Sequence, residues 1–405
     1  MPEATLTPVA CAAAPETAPP PSVNGPLLRR ADWRVLLPVP PQGFEQLILL
    51  GGPPGLAAKI VEIGLARRVR EEIPGEPSAD AVAILDGAGA RPEDAASALL
   101  PGGCLYWEAE SANALPNLRR SIERRLRRAG LFTTGLHAVL PDFQRSQLFV
   151  PLSAAVVRWH LSHWGPESLQ RLLATPAGPA VAPLLTWRWR KHCAVTAVAW
   201  PRREAAPSIL DHPALSAQSI EHTLVINREQ KDATRRVIVF PFARGAGKPA
   251  MVLKFWRLAW RHPEVEREHE TVSGLRSRLD PVTRRGIPEP LGTFRWGSAV
   301  VGAESCAPGR PLSQTPVHGR RSRIGNLALV TEWLLAFHRQ TASRPTPWSE
   351  SQAETFVDGP LAAYERVFGK RPEEGRLFDA VRKRSQSLLG RPLPLIQAHP
   401  DFSEL

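Results

Sequence analysis

An uninterrupted apolar run, Leu47-Ile48-Leu49-Leu50, meets Gly51-Gly52-Pro53-Pro54-Gly55 and gives way to Leu56, Ile60, Ile63 and Leu65 at near-helical spacing. Four consecutive apolar residues leave no polar face, so the strand they form is covered on both sides. A covered strand that passes through a tight turn into a helix belongs to a parallel sheet. The motif recurs. Ala81-Val82-Ala83-Ile84-Leu85 ends at Asp86-Gly87, a short helical stretch runs to Leu100, and after Pro101-Gly102-Gly103 a third strand covers Cys104 to Glu108. A helix from Leu118 to Ala129, closed by Gly130, and strand and loop material over Phe132 to Phe149 complete the alternation. It predicts a Rossmann-like α/β domain over residues 29–150.

At 405 residues, 43% of them hydrophobic and 22% charged, the chain is long enough for two or three domains with separate cores. Residues 1–28, rich in Pro, Ala, Thr and Ser, predict a disordered tail. Residues 151–213 read as a helical, aromatic connector carrying Trp159, Trp164, Trp187, Trp189 and Trp200, followed by a linker from Pro201 to Pro213. Residues 214–405 form a second domain of α+β type. Its sheet segments are His222 to Asn227, a hairpin of Val237-Ile238-Val239-Phe240 with Val252-Leu253-Lys254-Phe255, and strands over Leu291–Trp296 and Ala299–Ala303. Helices are predicted over Pro263–Leu279 and Asn326–Arg339, the latter with Leu327, Val330, Leu334 and Phe337 on one face.

The formal charge of +12 rests on arginine, with only seven lysines among 51 basic residues. Such a charge permits nucleic acid, anionic lipid or phosphorylated ligands and selects none of them. The segment Trp187-Arg188-Trp189-Arg190-Lys191-His192 interleaves aromatic and basic residues but is short, so nucleic acid is not expected as a partner. Cys11, Cys104, Cys193 and Cys306 form no C-x-x-C pair, which supports neither a zinc site nor a disulfide framework. With no apolar run near the ~20 residues of a spanning helix and no secretory signal, a cytoplasmic protein without a transmembrane segment is expected.

In the C-terminal half, Lys254 stands inside an apolar strand, where an ammonium is costly unless it finds anionic partners. Glu268 lies on the helix that follows, on the face of Val265, Val272 and Leu275, and His399-Pro400-Asp401-Phe402 follows the apolar-proline run Pro392 to Ile396. With Glu304-Ser305-Cys306-Ala307-Pro308-Gly309-Arg310-Pro311-Leu312 and Glu332-Trp333-Leu334-Leu335-Ala336-Phe337-His338 these segments resemble, in order, the aminoglycoside phosphotransferase and choline kinase-like family. The resemblance covers residues 220 to 405. It implies a protein-kinase-like N-lobe and a partial helical C-lobe. It also implies ATP and Mg²⁺ as cofactors and a small-molecule hydroxyl substrate. Lys254 would hold the α/β-phosphates, Glu268 would hold Lys254, backbone near Glu304 and Cys306 would meet the adenine, Asp401 would accept the hydroxyl proton, and His399 would brace the loop. The segment Asn227 to Thr234, where a glycine-rich lid would lie, has no glycine. The family's metal-binding Asn would fall one position beyond Leu405 and its second metal ligand further on, so no metal ligand is assigned and a truncated, impaired phosphotransferase is expected.

The segments Leu47 to Gly55, Ala79 to Gly87 and Leu99 to Glu108 resemble the first motif, a mid-sheet strand and a Leu-Pro-Gly-Gly turn of class I S-adenosylmethionine-dependent methyltransferases. Glycines at such a turn let backbone approach a ligand closely. The first strand carries no acidic residue beside its glycines, Pro53-Pro54 removes two N–H donors, and Glu71 and Glu72 are the only acids placed to end a second strand. S-adenosylmethionine is therefore not expected as the cofactor. ATP-dependent phosphotransfer is the first functional expectation; methyl transfer by the N-terminal domain, or a non-catalytic nucleotide-binding scaffold, is the alternative.

Overall fold

The computed structural model describes residues 25–110, 118–175, 178, 181, 192–199, 220–226, 236–307, 319–369 and 372–394. The chain divides into two compact units, Met1–Thr271 with Pro288–Pro308, and Val272–Ile287 with Gly309–Leu405.

The first unit is organised by one twelve-stranded sheet. Its strands are β1 (Phe44–Leu50), β2 (Ala66–Arg70), β3 (Ala79–Ile84), β4 (Leu99–Glu110), β5 (Leu131–Leu140), β6 (Leu148–Pro151), β7 (His192–Ala199), β8 (Ile220–Ile226), β9 (Arg236–Ala243), β10 (Val252–Trp256), β11 (Pro290–Trp296) and β12 (Ala299–Glu304). Across the sheet they run β2-β1-β3-β4-β7-β5-β6-β8-β9-β10-β12-β11. The pairs β1–β2, β1–β3 and β3–β4 are parallel. β7 is antiparallel to both β4 and β5, and from there every pairing is antiparallel. The helices of this unit are α1 (Gly25–Arg30), α2 (Leu56–Glu62), α3 (Pro92–Ala98), α4 (Leu118–Arg128), α5 (Ala154–Trp164) and α6 (Glu167–Ala174), and α7 (His262–Arg278) begins in it between β10 and β11.

Burial alternates along the strands as the predicted two-sided covering requires. Leu47 and Leu49 of β1, Ala81 and Ala83 of β3 and Tyr106 of β4 face a core built with Leu28, Trp33, Leu56 and Ile60, and that core continues through Val139, Val225, Val239 and Leu253 to Val301. Ile48, Leu50, Val82, Ile84 and Leu105 face the other way, against Ala95 and Ala98 of α3 and Ile122 and Leu126 of α4. Further along that side, α5 and α6 bury Val156, Val157, Trp159 and Leu173 against Val150, Leu224, Phe240 and Phe242. Each large apolar side chain so removed from water contributes about 1.5–3 kcal/mol. Two buried ion pairs fasten the N-terminal segment to the sheet. Arg30 bonds Glu108, and Arg257 bonds Asp32 of the 3-10 turn Asp32–Leu36 at 2.7 Å.

The fold is mixed α/β, with a parallel section and an antiparallel section in one sheet. The strands read from the sequence in the N-terminal half, the hairpin β9–β10 and the strands β11 and β12 all form. Three stretches differ from the sequence reading. Residues 25–28, read as the end of a disordered tail, open α1 with Leu28 buried, and residues 66–70, read as no strand, form β2. Residues 192–199, read as part of a helical connector, are the strand β7 between β4 and β5. Cys193-Ala194-Val195-Thr196-Ala197-Val198-Ala199 is buried on both faces, so it lacks the alternation that marks a half-exposed strand. The predicted tail up to residue 24, the linker 201–213 and the segment 227–234 lie outside the described residues.

The second unit is helical: α8 (Pro281–Arg284), α9 (Gly319–Thr341), α10 (Glu350–Ala353), α11 (Gly359–Phe368) and α12 (Pro372–Gln386). Asp280 caps α8, accepting the N–H groups of Val282 and Thr283, each at 2.8 Å. The Gln340 amide of α9 donates to the same carboxylate, and Trp333 Nε1 donates to the Thr283 carbonyl at 3.1 Å. Among the described residues no helix is long and apolar enough to cross a membrane.

Candidate functional site

The carboxyl edge of the parallel strands gathers the chain's glycine turn and three carboxylates. β1 ends into Gly51, Gly52 and Gly55, which have φ values of 77°, 94° and 84° and are all exposed. Gly52 has a steric reason as well as a conformational one, because a Cβ there would stand 2.6 Å from Leu85 Cδ1. Pro53 and Pro54 leave three backbone N–H groups for this turn to offer. β2 pairs with β1 and runs directly into Glu71 and Glu72, both exposed. On the other flank β3 runs into Asp86, half-buried, and Gly87. Glycine amides at a strand end, flanked by carboxylates that follow the two neighbouring strands, suit a ligand that carries both hydroxyl groups and positive charge.

Behind this edge lies a network that no motif announced. Glu108 of β4, fully buried, accepts two bonds from Arg30 at 2.8 and 2.9 Å, one from the Tyr106 hydroxyl at 3.0 Å and one from the Asp86 backbone N–H at 2.8 Å. Burial opposes the Arg30 charge, but the paired Glu108 carboxylate outweighs it and holds the guanidinium pKa above its ordinary value. Burial, reinforced by Glu108, pushes the Tyr106 phenol well up. The network therefore fixes the Asp86 turn at the site's edge. Its sequence signal was a charged residue inside an apolar strand, the same signal that singled out Lys254.

Lys254 of β10 has two carboxylates within reach: Glu304 of β12 at 2.7 Å and Glu268 of α7 at 3.6 Å. Glu268 is held more closely by Arg236 of β9, at 2.6 Å. The residues read as a lysine–glutamate pair thus form a four-membered ion network in which Glu304, expected to contribute backbone to a nucleotide, is the nearest partner of the lysine. Cys306 is half-buried beyond β12, and burial raises its thiol pKa. Asp401 and His399 lie outside the described residues, as do positions 308–312 of the interlobe segment and 187–191 of the aromatic-basic segment. No group of three or more His, Cys, Asp or Glu side chains is clustered as a metal site among the described residues.

No family profile matches the chain, and no curated protein sequence does. The solved structures similar to part of it include two of methyltransferase description. One, from the complex between the Haloferax volcanii Trm112 methyltransferase activator and a protein described as a methyltransferase, is 14% identical. That match covers 42% of this chain and 89% of its own, with a TM-score of 0.26. The other, described as a sarcosine dimethylglycine methyltransferase from Galdieria sulphuraria, is also 14% identical and covers 43% of this chain and 84% of its own, with a TM-score of 0.23. These matches correct the expected cofactors. Both are to proteins described as methyltransferases and neither brings support for ATP or Mg²⁺, so the expectation of those two cofactors and the setting aside of S-adenosylmethionine do not stand. The physical reason is that a carboxylate does end the strand beside the glycine turn, at Glu71, once β2 is seen to pair directly with β1.

Proposed function

We propose that the chain binds S-adenosylmethionine at the carboxyl edge of β1, β2 and β3 and acts as a methyltransferase of the class I type. The observation that carries this reading is the juxtaposition of the positive-φ glycine turn after β1 with the carboxylates that end the two neighbouring parallel strands. The residues present fit the group. Gly51 and Gly52 offer backbone amides at positive φ, where a side chain would be strained and would crowd Ala88 and Leu85, and Glu71 would accept the two ribose hydroxyls. Asp86, steadied through its N–H by Glu108, would offset the positive sulfonium. When bound, the cofactor supplies an electrophilic methyl group. In this reading Lys254, Glu268, Glu304 and Arg236 form an ion network that ties α7 to the antiparallel strands.

The test is calorimetric and thermal titration of the full chain with S-adenosylmethionine and with S-adenosylhomocysteine. A ligand that binds only the folded state raises the melting temperature. Both are expected to do so, and Glu71→Ala is expected to weaken binding about tenfold, equivalent to about 1.4 kcal/mol. If neither compound shifts the melting temperature or releases heat, the reading fails.

A further inference from the structure

The helix α4 reads Leu118-Arg119-Arg120-Ser121-Ile122-Glu123-Arg124-Arg125-Leu126-Arg127-Arg128, in which Glu123 is the sole carboxylate. Ile122 and Leu126 are buried against the sheet and fix which side of the helix faces inward. At about 100° per residue, Arg120, Arg124, Arg127 and Arg128 fall within an arc of roughly 100° on the opposite side, and all four are exposed. The remaining two arginines are engaged locally. Arg119 pairs with Glu123 at 2.7 Å, while Arg125 pairs with Glu93 of α3 and lies over the Trp107 ring at 5.3 Å. Among the described residues none of the four outward arginines forms an ion pair.

Stability alone does not account for this face. Arg124 stands four residues from both Arg120 and Arg128, a spacing at which like charges on a helix repel. Arg120 lies in the first turn, where the positive end of the helix dipole disfavours a cation and where α4 carries no acidic residue. A polyanion laid along the arc relieves both penalties. The geometry also selects among polyanions. The apolar side of α4 is taken up by the sheet, so the helix has no face to sink into a bilayer. No aromatic side chain shares the arc, so the bases of a single strand find no stacking platform on it. From Arg120 to Arg128 the guanidinium groups spread over about 12 Å of helix axis, which matches the ~12 Å major groove of B-form DNA, whereas the major groove of A-form RNA is too narrow to admit them.

We propose that the outward face of α4 binds double-stranded DNA through its phosphates, without regard to sequence, with Arg120, Arg124, Arg127 and Arg128 each neutralising one phosphate. The expectation against nucleic acid rests on residues 187–192, a different segment of the chain. None of these arginines belongs to the glycine turn or its carboxylates, so the proposal stands independently of the cofactor reading.

The experiment is fluorescence anisotropy of the full chain with a labelled DNA duplex of mixed sequence, about 20 base pairs long, between about 50 and 200 mM salt. Four phosphate contacts give a slope of about −3.6 in log K against log salt, so affinity should fall about a hundredfold over that range. Each single Arg→Gln substitution in the arc should make the slope shallower by about one. The fourfold variant Arg120→Gln/Arg124→Gln/Arg127→Gln/Arg128→Gln should bind at least tenfold more weakly at the lowest salt, with no loss of melting temperature. If it does not fold, the single variants carry the test. As a control, Arg67→Gln/Arg68→Gln/Arg70→Gln/Arg295→Gln removes the same charge from exposed positions on β2 and β11 and should bind within about twofold of the native chain. A single strand of the same length and phosphatidylserine vesicles should bind more weakly than the duplex. The proposal is overturned if no salt-dependent duplex binding is found, if the arc variants bind unchanged, if the control variant loses as much as the fourfold one, or if the single strand or the vesicles bind as tightly as the duplex.

Discussion

Arg30 and Glu108, 78 residues apart in sequence, meet as a bidentate pair at 2.8 and 2.9 Å with both side chains almost wholly out of water. The contact joins α1 to β4, and the same carboxylate takes the Asp86 N–H that borders the proposed cofactor edge. Removing one partner of such a pair leaves an uncompensated buried charge, which costs about 3–5 kcal/mol. Arg30→Met and Glu108→Gln are each expected to lose that much in urea unfolding. Glu108→Gln should also weaken S-adenosylmethionine binding, because the Asp86 turn loses its anchor, whereas Asp32→Asn, which breaks the other buried pair, should destabilise without that effect. Equal ligand affinities in the two variants would disprove the link between Glu108 and the site.

The buried His137 makes stability depend on pH. Its folded pKa, lowered by burial to about 4, lies below the ordinary value of 6.5. Between these values the unfolded chain takes up a proton that the folded chain refuses, so the contribution is fully present above pH 6.5 and is lost as pH falls toward 4. The loss amounts to about 3 kcal/mol for this group. Half-buried His222 and His262, both lowered first by desolvation, act in the same direction. Urea unfolding at pH 7.5 and 5 should show the fall, and His137→Leu should flatten it. A wild-type stability that does not change across that range would rule the assignment out.

Local patterns made much of this fold legible. Apolar runs ended by glycine marked β1 and β3, a run opening after Gly103 marked the later part of β4, and two apolar runs joined by Gly245-Ala246-Gly247-Lys248 marked the β9–β10 hairpin. Other elements are set by partners distant in sequence. β2, Ala66-Arg67-Arg68-Val69-Arg70, is charged because it is an exposed edge, so it carries no apolar signature, and without it Glu71 had no strand to end. β7 was hidden because burial on both faces erases periodicity. The pairing of β6 with β8, which within the antiparallel section joins the strands β1–β7 to the strands β8–β12, depends on two contacts, Leu148 with Ile226 and Phe149 with Val225, that no short window contains. Lys254 was legible as a lysine needing an anion, but its choice of Glu304 over Glu268 follows from the β10–β12 register, which places Glu304 opposite Val252.

That register sets the expected effect of mutating the lysine. Lys254 and Glu304 side chains retain 25% and 19% of their exposure, and a pair so close to water contributes about 0.2–1 kcal/mol. Lys254→Met is expected to cost no more than that in chemical denaturation and to leave S-adenosylmethionine binding unchanged. Glu268→Gln should cost no more, since its pair with Arg236, which is stacked over Trp256 at 5.0 Å, is more exposed still. A Lys254→Met variant that loses cofactor binding would bring this network into the site.

Gly52 tests the glycine turn apart from any ligand. Its φ of 94° is one that L side chains rarely adopt, and a Cβ would also meet Leu85 Cδ1 at 2.6 Å and Leu56 Cδ2 at 3.3 Å. Gly52→Ala therefore combines backbone strain, about 1–3 kcal/mol, with a clash against two buried leucines. Leu85→Ala removes the nearer clashing atom and, as a core truncation, costs about 2–5 kcal/mol alone. In the double variant the steric part of the Gly52→Ala penalty should vanish while the backbone part remains, giving a combined loss smaller than the sum of the two. Additive losses would mean that Leu85 does not border the turn, and the close approach on which the proposed cofactor site depends would then have to be abandoned.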